Sequence, residues 1–300
     1  TIQGEINYYV IAMTVILGSL FFYRVYQRQK KGVINGSGVS YMDWVKLHFW
    51  AVFTHPLLDS CTTYGTQLFQ PFWDYRVAFN NVSVVDPAYT VPFLTFLIVA
   101  SLIPRGNIWR KSMNWAGIAI SSAYLLWSVN NKFKVNRIFE QGLERDNITY
   151  SRYMTSPTIL NNILWYAVAE GKDHYYRGFY SLLDSQEVIE IDSIPKNHEL
   201  LAPFEGERPI EVLKWFSNGY YIVEKPVSDT SDQSQDILQY YDIRFGAVGI
   251  ENEEGELEGE FVFGFEIDHS GDEVKVNEKR ERPENARQAF AAFFERIKGK

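Results

Sequence analysis

The chain has 300 residues, 46% hydrophobic and 16% aromatic, with a net charge of −8 and one cysteine. The lone Cys61 excludes an internal disulfide and every Cys-rich metal site. Residues 1–150 carry 13 Lys+Arg against 8 Asp+Glu and residues 151–300 carry 16 against 29, so a weakly basic half precedes a strongly acidic one without the basic stripe that nucleic-acid binding needs.

The chain begins at Thr1 without the basic, apolar and small-residue regions of a signal peptide, and reads as a fragment whose upstream residues are missing. Four apolar blocks follow, Tyr8–Tyr23, Trp44–Leu58, Val91–Ile103 and Trp115–Val129. Each falls short of the roughly 20 residues of a full span. Flanking aromatic residues (Tyr8, Tyr9, Tyr23, Trp44, Trp109, Trp115, Trp127) suit a water–lipid interface. The expected architecture is an α-helical membrane domain over 1–131, with about four short transmembrane or membrane-embedded helices; a soluble helical bundle is the alternative. Basic residues after the first block (Arg24, Arg28, Lys30, Lys31) and before the fourth (Arg105, Arg110, Lys111) place those loops in the cytoplasm. Lys132, Lys134, Arg137 and Arg145 argue the other way, which leaves the orientation open.

The second block ends in the run THPLLDSC, which sets His55 and Asp59 four residues apart on one helix face. Imidazole and carboxylate at that spacing converge on one point and can hold a divalent metal. His48 lies seven residues earlier on roughly the same face, a further ligand or a supporting residue. A second reading stands beside this one. Pro56 donates no backbone hydrogen bond, so HPLLD can be a helix kink, with Asp59 capping the next turn and His55 bonded to a freed carbonyl. Cys61 is either a conceivable ligand or a small buried thiol. The following loop, 60–90, is dense in polar groups (Thr62, Thr63, Thr66, Asp74, Arg76, Asp86) around Gly65, and either positions an anion such as a phosphate or satisfies itself at the interface. A lipid-binding or transport role through this loop is a third reading.

Residues 132–155 read as an amphipathic helical linker, and 156–300 as an acidic soluble α+β domain with a small antiparallel sheet. Strand-like runs occur at Ile163–Ala169, Tyr175–Leu182, Tyr220–Val223, Tyr240–Phe245 and Phe261–Asp268. Ser228–Gln235 is a polar loop, Glu251–Glu260 an acidic turn, and Pro283–Lys298 a closing helix with Ala286, Phe290, Phe293 and Ile297 as its apolar stripe. The acidic turn lacks the alternating ligands of a calcium loop. His174, His198 and His269 stand singly, and phosphate loops, a GxSxG elbow and an HExxH motif are absent.

The run THPLLDSCTTYGTQLFQPF with YRVAFNNVSVVDPAYTVPF resembles the YdjM-like family of bacterial membrane-bound, metal-dependent hydrolases, and the resemblance extends to SPTILNNILWYAV, KNHELL and YYDIRFG. It implies a multi-pass protein of the bacterial inner membrane and a divalent metal, Zn²⁺ above others, held by His55 and Asp59. His48 lies outside the matching motif. Arg76 and Asp86 fall in the matching loop as candidate catalytic side chains, Arg76 to steady a developing anion. A metal-bound water would be the nucleophile, and by analogy with zinc-dependent phospholipases C the substrate would be a phosphodiester or a lipid. The chain departs from the family in lacking its PDxD-type and HRGxTHS-type segments. If Gly4 is the glycine of the latter, Ile2 and Asn7 stand where its histidines belong, so either the upstream helices are missing from this chain or the site has decayed. The expected partners are membrane lipid and the unidentified substrate, with no direct nucleic-acid contact. The rival is a non-catalytic membrane protein whose acidic domain binds a protein partner.

Overall fold

The structure, a computed structural model, describes residues 40–104, 106–226, 237–251, 257–270, 274–279 and 286–299, together with Ser19, Tyr23, Tyr26 and Gln27. Three helices open it: α1 (Tyr41–Asp59), α2 (Pro87–Leu102) and α3 (Ile108–Arg145). α1 starts at a capping box, in which Ser40 Oγ accepts from the Asp43 N–H and the Ser40 N–H donates to the Asp43 carboxylate. α2 starts where Asp86 caps and Pro87 supplies the preset first-turn φ. α2 and α3 form an antiparallel hairpin. Arg110 reaches the Ile103 carbonyl near the turn, Gly117 meets Phe96 midway, and the Tyr124 hydroxyl donates to Asp86 at the far end. A Cβ at Gly117 would lie 3.0 Å from the Phe96 Cβ, so glycine there sets how closely the helices approach.

Two four-stranded antiparallel sheets follow. The first runs in the order β1 (Arg152–Pro157), β2 (Leu164–Glu170), β3 (His174–Ser181), β4 (Asp192–Pro195). A 3₁₀ turn (His198–Phe204) and α4 (Arg208–Phe216) lead into the second, ordered β5 (Tyr221–Glu224), β6 (Ile237–Glu251), β7 (Leu257–Asp268), β8 (Lys275–Lys279); α5 (Ala286–Ile297) closes the chain. Period-two alternation sorts the side chains into layers. On β2, Trp165, Ala167 and Ala169 face Val135, Ile138, Phe139 and Leu143 of α3. Tyr166 and Val168 face the second sheet, against Ile222, Tyr241 and Ile243. The far side of that sheet, through Val223, Leu238, Tyr240 and Phe265, packs on Leu201, Ile210 and Leu213. The order is helix, sheet, sheet, helix. The single small sheet expected from the sequence is thus two.

The expectation of a helical membrane domain is corrected as well. Among the described residues no helix is long and apolar enough to cross a membrane, and a multi-pass arrangement finds no support. The reasons are local. α2 is apolar but has 16 residues, about 24 Å against a hydrocarbon core of about 30 Å. α1 has 19 residues but is interrupted by Asp43, Lys46, His48, His55 and Asp59. In α3 the apolar run closes at Lys132 and Lys134, and its second half is core of the sheet region. Nor do the helices stand apart as a domain, because α3 runs unbroken from the hairpin into the layers. The apolar block Tyr8–Tyr23 lies outside the described residues except for Ser19 and Tyr23, as does the whole of the polar loop Ser228–Gln235.

Candidate functional site around the HPLLD motif

The HPLLD run is the last turn and a half of α1, and the helix continues through Pro56 to Asp59. Hydroxyls end it: Ser60 Oγ donates to the Leu57 carbonyl and Thr62 Oγ1 to that of Asp59. His55 Nε2 and Asp59 Oδ2 lie 3.4 Å apart, with 75% and 47% of their side chains exposed. The imidazole therefore faces the carboxylate across one turn. At such exposure the pair contributes about 0–1 kcal/mol to stability. His48 Nδ1 sits 2.9 Å from the Trp44 carbonyl. Two turns, roughly 10 Å along the axis, separate His48 from His55, so the helix does not bring it to the pair. It lines instead an apolar cavity of about 880 Å³ between α1 and residues 66–69.

Arg76 and Asp86 are held elsewhere. Gly65, at φ +68°, turns the chain where a Cβ would strike Val77 and Ala78, and Thr66 then pairs with Val77 in a two-way bridge. This aims Arg76 at the end of α4, where its guanidinium lies 4.7 Å over the Trp215 ring and donates to the Trp215 and Phe216 carbonyls. A cation at a helix C-terminus complements the macrodipole. Burial, with Arg244 nearby, lowers the Arg76 pKa to about 10. Asp86 is buried and caps α2, with Oδ1 accepting from the Ala88 and Tyr89 N–H groups and Oδ2 from the Tyr124 hydroxyl at 2.7 Å. Cys61 carries a free thiol that burial keeps protonated, the opposite of a thiolate ligand.

A catalytic zinc site takes three protein ligands and a structural one four. Among the described residues no group of three or more His, Cys, Asp or Glu could hold a metal ion. His55 and Asp59 alone do not fit a resident metal.

What the sequence reading missed is a buried polar seam joining the hairpin to the layers. Asn81 Nδ2 donates to Ser128 Oγ, Asn131 Nδ2 to Asn162 Oδ1, and Asn162 Nδ2 to the Asn81 carbonyl. Beside them Lys132 Nζ donates to the Thr155 carbonyl at 2.7 Å and the Asn80 carbonyl at 3.3 Å, and burial lowers its pKa to about 8. The available signal was three Asn–Asn dipeptides, at 80–81, 130–131 and 161–162, which the fold brings to one place. A second lock is Asp242 with Arg244, 2.6 Å apart and buried, Arg244 also donating to the Thr63 carbonyl while Tyr64 packs on Phe245 and Phe263. Burial pushes the Asp242 carboxyl up, against the pull of Arg244.

The molecule is thus a layered α+β body carrying a helical hairpin and α1, whose large apolar side chains (Phe49, Trp50, Val52, Phe53, Leu94, Ile98 among them) are exposed. The model of a family described as YdjM inner membrane protein matches residues 9–135, which bears out the resemblance over that segment and connects it with proteins of the inner membrane. No curated protein and no solved structure matches the chain.

Proposed function

We propose that the protein sits at the inner membrane, its helices and the loop 69–75 lying against lipid, and holds its acidic layered domain there for a protein partner. The observation that carries this is the apolar surface itself. Monomeric soluble proteins rarely expose so much contiguous apolar area, and here it runs along α1, α2 and the first half of α3. The loop adds an aromatic tip: Phe72 is 94% exposed, and Trp73 stacks on Tyr75 at 5.0 Å beside Phe69. Gln70 and Gln67 hold the one carboxylate residue of that tip, Asp74, by its side chain and its carbonyl. Trp and Tyr at such a tip suit the headgroup level. Flotation with neutral phosphatidylcholine vesicles is the test. The full chain should float, and Phe72→Ser with Trp73→Ser should weaken flotation several-fold; a chain that stays in the dense fraction would sink the reading.

A second reading keeps the metal-dependent hydrolase of the family resemblance, favoured by the approach of His55 Nε2 to Asp59 Oδ2. It requires further ligands beyond those described. Elemental analysis of detergent-purified protein decides it: near-stoichiometric zinc, lost in His55→Ala and Asp59→Ala, supports it, and metal-free wild type retires it.

A further inference from the structure

At the turn between α2 and α3 lies an open cavity of about 510 Å³, and we propose that it binds the headgroup of an anionic phospholipid such as phosphatidylglycerol. The proposal rests on the membrane-seated reading above and adds a lipid class and a site. Charge is the first argument. Between Asp86 and Glu140 the sequence contains no Asp or Glu, so Arg110 and Lys111, which line the cavity, have no acidic neighbour on either helix of the hairpin. Arg110 is fixed through one Nη1 bond to the Ile103 carbonyl at 2.9 Å. That single bond leaves most of the guanidinium's five N–H donors for an anion. Lys111 is exposed.

The second argument is the mixture of surfaces. Ser101, Asn107 and Asn114 add hydroxyl and amide groups suited to a glycerol, while Leu97 and Ile108 make the rest of the wall. Just outside, Leu102 and Trp109 are exposed, an apolar flank along which acyl chains would run. Gly106, at φ +90°, leaves the mouth open, with nothing within 4 Å of where a Cβ would stand. The volume exceeds what a phosphate fills and lies in the range of organic-ligand pockets. The helix end is not the source of attraction, because Asn107 already caps α3 through the Trp109 N–H. A free phosphate would meet the cations but leave the apolar flank uncovered, which favours the lipid.

The test is a calorimetric titration of the detergent-purified full chain with short-chain phosphatidylglycerol, short-chain phosphatidylcholine and inorganic phosphate. Phosphatidylglycerol should bind about tenfold more tightly than phosphatidylcholine, as two cations near a headgroup allow. Added salt should shrink that preference. Arg110→Gln with Lys111→Gln should abolish it, and Lys111→Gln alone, at an exposed position that leaves the Ile103 contact intact, should reduce it. Equal binding of the two lipids, or a preference that survives the double substitution, overturns the site. Phosphate binding as tightly as phosphatidylglycerol overturns the lipid assignment in favour of a free anion. Because these titrations need no vesicle, they stand or fall separately from flotation on neutral vesicles, which tests the seating alone.

Discussion

Trp50 on α1 and Trp165 on β2 are the same side chain in opposite settings, 58% and 0% exposed. The contrast holds for the regions around them. In the layered part, β2 is buried on both faces, between α3 and the second sheet, where the Trp165 indole N–H donates to the Asn162 carbonyl and Glu170 accepts from Lys196 and Arg152, the Tyr166 hydroxyl alone being left unpaired on the strand. On α1 no residue is buried at all. One region is ordered by its own core, whereas the other presents an apolar face that something outside the described residues must cover. A helix in water draws most of its stability from packing its apolar face, so α1 should be the less stable of the two in the absence of lipid or detergent.

Substituting each tryptophan in turn sharpens the comparison most. Trp165→Ala leaves a large cavity among Phe139, Tyr180 and Ile189 and should lower the unfolding free energy by about 3–5 kcal/mol. Trp50→Ala should change it by no more than about 0.5 kcal/mol and instead weaken vesicle flotation. Denaturant unfolding of the detergent-solubilised chain reads the first effect. Equal destabilisation by both would mean that protein, not lipid, covers α1.

The joint between the regions comes next. Arg244→Met leaves Asp242 buried without its cation and cuts the bond to the Thr63 carbonyl. Breaking a buried pair from one side costs about 3–5 kcal/mol, whereas removing both charges is often near neutral. The double variant Asp242→Asn with Arg244→Met should therefore regain most of the loss seen in the single one. If the single variant unfolds like wild type, the loop 60–80 is not held by this pair.

How far this could be read from residues depends on how local the signal is. β2, β3, β6 and β7 each coincide with a β-branched or aromatic run, since central strands must fill two faces with such residues, and so does the edge strand β5, whose Tyr221, Ile222 and Val223 are buried. Edge strands carry no such demand: β8, with Lys275, Asn277, Glu278 and Lys279, and β4, with Asp192 and Ser193, are polar and were passed over. β1 straddles the boundary between the expected linker and the acidic domain, because RYMTSP has neither a helical nor an alternating apolar pattern. That there are two sheets depends on pairing between distant segments, which no local pattern encodes. The same holds for the site. His55 and Asp59 were legible because four residues on a helix is a local relation, and the structure sets them facing. Arg76 on Trp215 and Lys132 on Thr155 join residues 139 and 23 apart, and the sequence offered only their polarity.

The pH dependence of the seam sets the two regions against each other again, because Lys132 sits where they meet. Its folded pKa is about 8 against an ordinary value of 10.5. Between those values the unfolded chain binds more protons than the folded one, so stability rises with pH across that window; below about pH 8 both states are protonated and the full cost of the buried charge is present. The total is roughly 3 kcal/mol. The difference in unfolding free energy between wild type and Lys132→Met should accordingly move in favour of wild type from pH 8 to pH 10. A difference that stays flat would mean that Lys132 reaches water.

The smallest effect is expected at the pair with which the sequence was most suggestive. His55 and Asp59 are exposed, so His55→Ala should shift the unfolding free energy by less than about 1 kcal/mol. His198 supplies the control. Its ring stacks on Tyr221 with centroids 3.9 Å apart, bonds the Tyr221 carbonyl at 2.8 Å, and is held below the usual imidazole pKa by burial. His198→Ala should cost clearly more, through lost packing and an unpaired carbonyl. If His55→Ala leaves folding intact yet removes bound metal or a hydrolytic activity, the pair works for function and not for the fold. If it matches His198→Ala in destabilisation, HPLLD is instead a structural joint between α1 and the loop that follows, and the exposed face of α1 is packed against more than lipid.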